Sequence, residues 1–291
     1  MNGYLLIGSA AMLFSLQFLF QRQFQAEKGS GLHAAILFSL GANLVICLVM
    51  LPVMQLMDGR LLYGASRRAF CLAFLLAGVN IACLYCGLKA LTHIRLSVYS
   101  AFMMLGGMFL PSLVGILFFH EELNAPKIFC FLLTLAALLL NTEKGNGRQT
   151  GMRYCFAAFF LNGMVGVLSK LHQSSAGEHM TSSGFLFSYS LFSVGIVVPI
   201  LLLHRRKRAP VRPTRRTCLY MGGYGLANGA GNLLSLLALQ TADASAQYPL
   251  ITGGVLLFSL VIGWMAGERP TRRGIGTLLF SLAAVFILMC G

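Results

Sequence analysis

Two long apolar stretches, about half a chain apart, are copies of one another, and this duplication constrains the fold more than any other feature. The first is Leu88 to Leu140 and the second is Leu236 to Ile287. A shift of 147 positions carries Gly106-Gly107 onto Gly253-Gly254, Glu121 onto Glu268, Ile128 onto Ile275 and Ala136-Ala137 onto Ala283-Ala284. A duplicated unit of this apolarity reads as a membrane repeat, with a binding region expected where the two copies meet.

Composition removes the soluble alternative. Apolar residues make up 57% of the chain and charged ones 10%, whereas soluble domains carry about 25% charge. A helix needs roughly 20 apolar residues to cross the hydrocarbon with its own hydrogen bonds satisfied. Ten such runs are expected, near 3–22, 32–57, 69–91, 96–119, 124–141, 152–172, 182–203, 217–240, 245–266 and 272–290. None alternates as the strands of an outer-membrane barrel do. The run after Met1 has no Lys or Arg ahead of it and reaches full spanning length, so it reads as an uncleaved first helix rather than a secretory signal. All eight cysteines lie in or beside apolar runs, which implies neither a disulfide framework nor a zinc site. Cys83-Leu-Tyr-Cys86 has redox spacing, but inside a spanning helix it reads as packing sulfur.

Five runs per half is an odd number, so the second copy enters the membrane upside down relative to the first. The expected fold is an all-α integral membrane protein of ten helices in two inverted repeats, residues 1–146 and 147–291. The alignment extends weakly to the first helices, with Gly3 and Arg22 against Gly151 and Lys170, and better to the third and eighth. There Asn80 meets Asn228 and Ala90-Leu91 meets Ala238-Leu239, at an offset of 148.

Ala-Leu, a small-residue turn, a Gly- and Pro-containing helix, the turn Gly267-Glu268-Arg269-Pro270-Thr271 and a closing Leu/Ala-rich helix together resemble the EamA-like repeat of the drug/metabolite transporter superfamily. The first copy carries His120-Glu121-Glu122-Leu123-Asn124 at that turn, a looser match. The resemblance covers the whole chain. It implies a bacterial, multi-pass secondary transporter of a cytoplasmic (inner or plasma) membrane, and leaves the substrate open because substrates vary across the superfamily.

Charge argues orientation separately, because Lys and Arg accumulate in short cytoplasmic loops. Seventeen of the 22 Lys and Arg follow odd-numbered runs, including Arg22, and five (Arg60, Arg67, Arg68, Lys127 and Lys170) lie opposite. This count places both termini outside, whereas the resemblance implies both inside. The basic link from Arg205 to Arg216 reads as a topology anchor, with an anionic-lipid patch as the alternative.

A charge at the bilayer centre costs at least about 2.5–3.5 kcal/mol and marks function by default. All eight acidic residues here fall in connections or at helix ends, which argues against a proton antiporter built on a buried carboxylate. What remains inside is neutral. Asn80 and Asn228 occupy equivalent depth, with Asn232 one turn beyond Asn228. Repeat symmetry makes them candidate substrate ligands, and interhelical glue is the alternative. Gln17, Asn162, Tyr85, Tyr99 and Tyr248 could complete a polar, aromatic-walled pocket, assisted by Ser15 and Gln247, although tyrosines also serve as interface anchors. Lys170 is either a counter-charge for an anionic or zwitterionic substrate or a snorkelling cation. Gly106, Gly107, Gly253 and Gly254, with Pro111 and Pro249, either let helices bend as the halves rock or simply pack closely.

Catalysis is not expected. The six histidines are scattered, no H-E-x-x-H site occurs, and no nucleotide-binding loop is present. The expectation is a transporter of a small polar or amphipathic organic metabolite, with amino-acid export leading, multidrug efflux second, and a membrane assembly subunit or intramembrane enzyme behind them. No cofactor, metal or nucleic acid is called for. The partners are the substrate and the lipid bilayer, and a homodimer is left open.

Overall fold

The computed structural model describes residues 3–119, 125–126, 128–129, 132–133, 136, 146–173, 180–205, 213–239, 244–267, 275–276, 278–280, 282–283 and 286–287. Among these residues the chain is helical, without strands. The long helices are α1 (Gly3–Lys28), α2 (Leu32–Met57), α3 (Arg67–Leu91), α4 (Leu96–Phe119), α5 (Asn146–Gln173), α6 (Ser182–Arg205), α7 (Arg215–Leu239) and α8 (Ala244–Met265). Scattered residues described within the expected runs at 124–141 and 272–290 are helical too. Among the described residues, which are helical, six helices are long and apolar enough to cross a membrane, as in a multi-pass membrane protein.

Local chemistry explains the boundaries. α1 continues past residue 22 because Gln21, Gln23, Gln25 and Glu27 are good helix formers despite their polarity. It stops at Gly29, whose φ of +76° suits glycine and whose N–H donates to the Gln25 carbonyl at 2.8 Å. Arg22, which the apolar run assigns to a loop, therefore stands inside α1 and is partly buried. α3 starts at a conventional cap, with the Ala69 N–H donating to the Ser66 hydroxyl at 3.2 Å.

α1 lies along α7 and α8, and α5 lies along α3 and α4. α2 packs on α6 and α7, α3 on α6, and α4 on α8. The largest apolar core, built around Phe18, Tyr99, Phe102, Leu105, Phe159 and Val255, joins α1, α4, α5 and α8. A second core stacks Phe24 on Phe38 and Phe38 on Tyr224, with ring centroids 4.7 and 4.9 Å apart.

Contacts between helix ends show which termini share a face. At the end of α1 the Glu27 carboxylate accepts from Thr214, just before α7, at 2.6 Å, and Gln25 donates to Thr92 after α3 at 3.3 Å. At the end of α2, Asp58 accepts from Thr181 and Ser183 at the start of α6. We refer to these as the Lys28 face and the Asp58 face.

Candidate functional site

Two apolar helices carry polar side chains at one-turn spacing, which puts them on a single face: Gln17 and Gln21 on α1, and Tyr224, Asn228 and Asn232 on α7. Because α1 lies along α7, the stripes meet inside the bundle. Asn228 Nδ2 donates to Gln17 Oε1 at 2.7 Å. Asn232 Nδ2 donates to the Asn228 carbonyl at 2.8 Å and to its side-chain oxygen at 3.3 Å. One turn along α1, the Tyr99 hydroxyl from α4 donates to Gln21 Oε1 at 3.2 Å. Tyr99 is wholly buried, with its ring edge-on to Phe18 at 5.6 Å. Gly87 of α3 makes room for this pair, since a Cβ there would overlap both the Tyr99 hydroxyl and the Gln21 amide. Gln21 Nε2 is buried and has no hydrogen-bond partner among the described residues.

On the far side of the centre, Asn80 of α3 lies within interaction range of the buried Tyr189 of α6. Tyr99, Tyr224 and Tyr189 belong to three neighbouring cores, Tyr99 with Phe18 and Phe102, Tyr224 with Phe24 and Phe38, and Tyr189 with Leu76 and Phe185. No hydrogen bond joins Asn80 to Asn228 among the described residues. The symmetric pair thus divides, with Asn228 bonded to Gln17 of α1 and Asn80 lying near Tyr189 of α6.

The remaining candidates fall elsewhere. Asn162 donates to the Met103 carbonyl at 2.6 Å and joins α5 to α4, a helix-packing bond. Ser15 donates to Ala11 and, across to α8, to the Val255 carbonyl at 3.2 Å. Tyr85 pairs edge-on with Tyr154 at 6.3 Å, and Lys89 sits 5.9 Å from the Tyr85 ring, towards the Lys28 face. Lys170 stands in the last turn of α5, at the Asp58 face. Gly106 touches the Phe159 backbone of α5, Gly107 faces Asn162, and Gly254 faces Ala11 of α1. Pro111 lies against Gly166 of α5. Gly253 is buried within α8. The side chains of Gln247, Tyr248 and Pro249, and the turns holding Glu121, Glu122 and Glu268, lie outside the described residues.

Sequence reading missed Gln21, Tyr189 and Tyr224. The available signal was spacing: Gln21 follows Gln17 by four residues, and Tyr224 precedes Asn228 by four. The centre is built from amides and phenols, each able to donate and accept. The acidic residues among those described, Glu27 and Asp58, both sit at helix ends. Among the described residues, no three His, Cys, Asp or Glu side chains gather as metal ligands would. A region of this chemistry can hold a polar solute through neutral hydrogen bonds, against aromatic rings.

No protein-family profile matches this chain, and no curated protein matches it. A solved structure, described only as the crystal structure of a protein, superposes with a TM-score of 0.66 over 99% of this chain and 97% of that one. At 14% identity the likeness is one of fold, and it extends over essentially the full length of both chains.

Proposed function

We propose that this protein is a ten-helix secondary transporter of the drug/metabolite type, moving a small polar or amphipathic organic metabolite across a cytoplasmic membrane by alternating access. The observation that carries the proposal is the neutral polar cluster in the bundle interior, which hydrogen bonds build from α1, α4 and α7. Substrate sites of repeat-built transporters lie where the halves meet.

The packing pattern supports an inverted repeat. Exchanging α1–α4 with α5–α8 turns α1·α7 into α5·α3, α1·α8 into α5·α4 and α2·α7 into α6·α3, while α2·α6 and α4·α8 map onto themselves. The 147-residue offset also relates Pro52 inside α2 to Pro199 inside α6, and Phe38 to Phe185. Amino-acid export remains the leading reading. Multidrug efflux is the second, favoured by the rings of Tyr99, Tyr189 and Tyr224, but a drug cation asks for a carboxylate at that depth and the described residues offer none.

The test is a thermal-shift screen of the purified protein against amino acids, amines, nucleosides and sugar nucleotides. A ligand at 100 times its Kd adds about 2.7 kcal/mol of stability, so a clear rise in Tm with at least one polar metabolite is expected. A flat response across all four classes contradicts the reading.

Orientation is testable separately. The loop-charge asymmetry puts the Lys28 face in the cytoplasm, so a single cysteine introduced as Arg216→Cys into a cysteine-free background, exposed at the start of α7, should resist an impermeant maleimide in intact cells and react after permeabilisation. Labelling in intact cells would place both termini inside.

A further inference from the structure

Glu27 and Asp58 are the acidic residues among those described, and both are used in the same way. Each stands at the end of a first-half helix and accepts a hydrogen bond from the hydroxyl that caps a second-half helix. Thr214 Oγ1 donates to Glu27 at 2.6 Å while receiving the Thr217 N–H at 3.2 Å, which caps α7. Thr181 Oγ1 donates to Asp58 Oδ2 at 2.9 Å while receiving the Gly184 N–H at 3.3 Å, which caps α6. Ser183 donates to the same Asp58 oxygen. A carboxylate beside a helix N-terminus gains from the helix dipole, and hydroxyl donors to a carboxylate form strong, charge-assisted bonds. One contact lies on the Lys28 face and the other on the Asp58 face, with the polar cluster between them.

We propose that Glu27–Thr214 and Asp58–Thr181/Ser183 are two latches, one per face, that hold the halves together and release in turn. The proposal rests on the alternating-access reading above. The Asp58 latch is the stronger, because it has two hydroxyl donors and is partly buried, whereas the Glu27 bond is single and exposed.

The test uses the full chain in membrane vesicles of both orientations, with Cys83 as the sole remaining cysteine and a membrane-impermeant maleimide as probe. Cys83 is buried in the core between helices, its sulfur 3.8 Å from Met103 Sδ of α4 and 3.9 Å from the Ala158 carbonyl of α5, so its labelling reports opening of that core from either side. Asp58→Asn should raise its labelling about tenfold from the Asp58 face only, equivalent to about 1.4 kcal/mol in the gate equilibrium. Glu27→Gln should raise it about threefold, from the Lys28 face only, as suits an exposed contact. Thr181→Val combined with Ser183→Ala should reproduce Asp58→Asn, which keeps the test valid if that variant inserts poorly. Unchanged labelling, or an equal rise from both faces, overturns the proposal. No substrate is used, so failure of the latches and failure of the ligand screen are separate results.

Discussion

Gly106→Ala is expected to destabilise the protein by about 1–3 kcal/mol, the usual cost of forcing a methyl group into a closed contact, and Gly106→Leu should prevent α4 from docking on α5. An added Cβ would overlap the Phe159 carbonyl oxygen and lie 2.8 Å from its carbonyl carbon. Those are backbone atoms, which cannot rotate away. Two other glycines, Gly107 beside it and Gly78 on α3, calibrate the effect. At Gly107 the nearest obstacle is the Asn162 amide nitrogen at 2.8 Å, the end of a side chain, so Gly107→Ala should cost less. At Gly78 nothing lies within 4 Å, and Gly78→Ala should melt with the parent. Melting temperatures of the three purified variants check the order. If Gly106→Ala melts with the parent, the close approach of α4 to α5 is not a constraint.

Asn228→Ala carries the second large effect. Asn228 supplies the donor to Gln17 and the side-chain acceptor for Asn232, so its truncation leaves the buried Gln17 carbonyl unpaired. Loss of one partner from a buried pair costs about 1–3 kcal/mol. Gln17→Ala should cost a similar amount, and the double variant less than the sum of the two, because they share one bond. Asn80→Ala should add independently, since among the described residues no hydrogen bond joins Asn80 to the Asn228–Gln17 pair. Simple additivity of Asn228→Ala and Gln17→Ala would contradict the α1–α7 bond.

Much of the helix inventory was legible because apolar length is a sufficient signal in a membrane. The ends were less so. Apolar counting stops α1 at residue 22, but the polar turns up to Lys28 stay helical, and Arg22 moves from a loop into the helix. The mid-helix placement of Asn80 in α3 and Asn228 in α7 could be read from the 148-residue offset between the two stretches. Their partners could not, because an offset fixes position along a helix and says nothing about which neighbour that side of the helix meets. Tyr189 and Tyr224 were missed for a related reason: a tyrosine at the lipid interface and one at a bundle centre look alike in sequence, and only the packing of α3 against α6 and of α2 against α7 separates them. Asn162 illustrates the converse, since its mid-helix amide is used on the Met103 carbonyl between helices.

The central claim is that the Gln17–Asn228–Asn232 cluster receives the substrate. Its most direct measurement is the ligand-induced rise in Tm of Asn228→Ala beside the parent, using whichever compound stabilises the parent in the screen. The account predicts that Asn228→Ala stays folded and helical but needs at least about tenfold more ligand for the same rise, corresponding to ~1.4 kcal/mol of lost binding. An Asn228→Ala protein that melts lower without ligand, yet shows the parent's full ligand response at the same concentration, would make the cluster packing glue and contradict the claim.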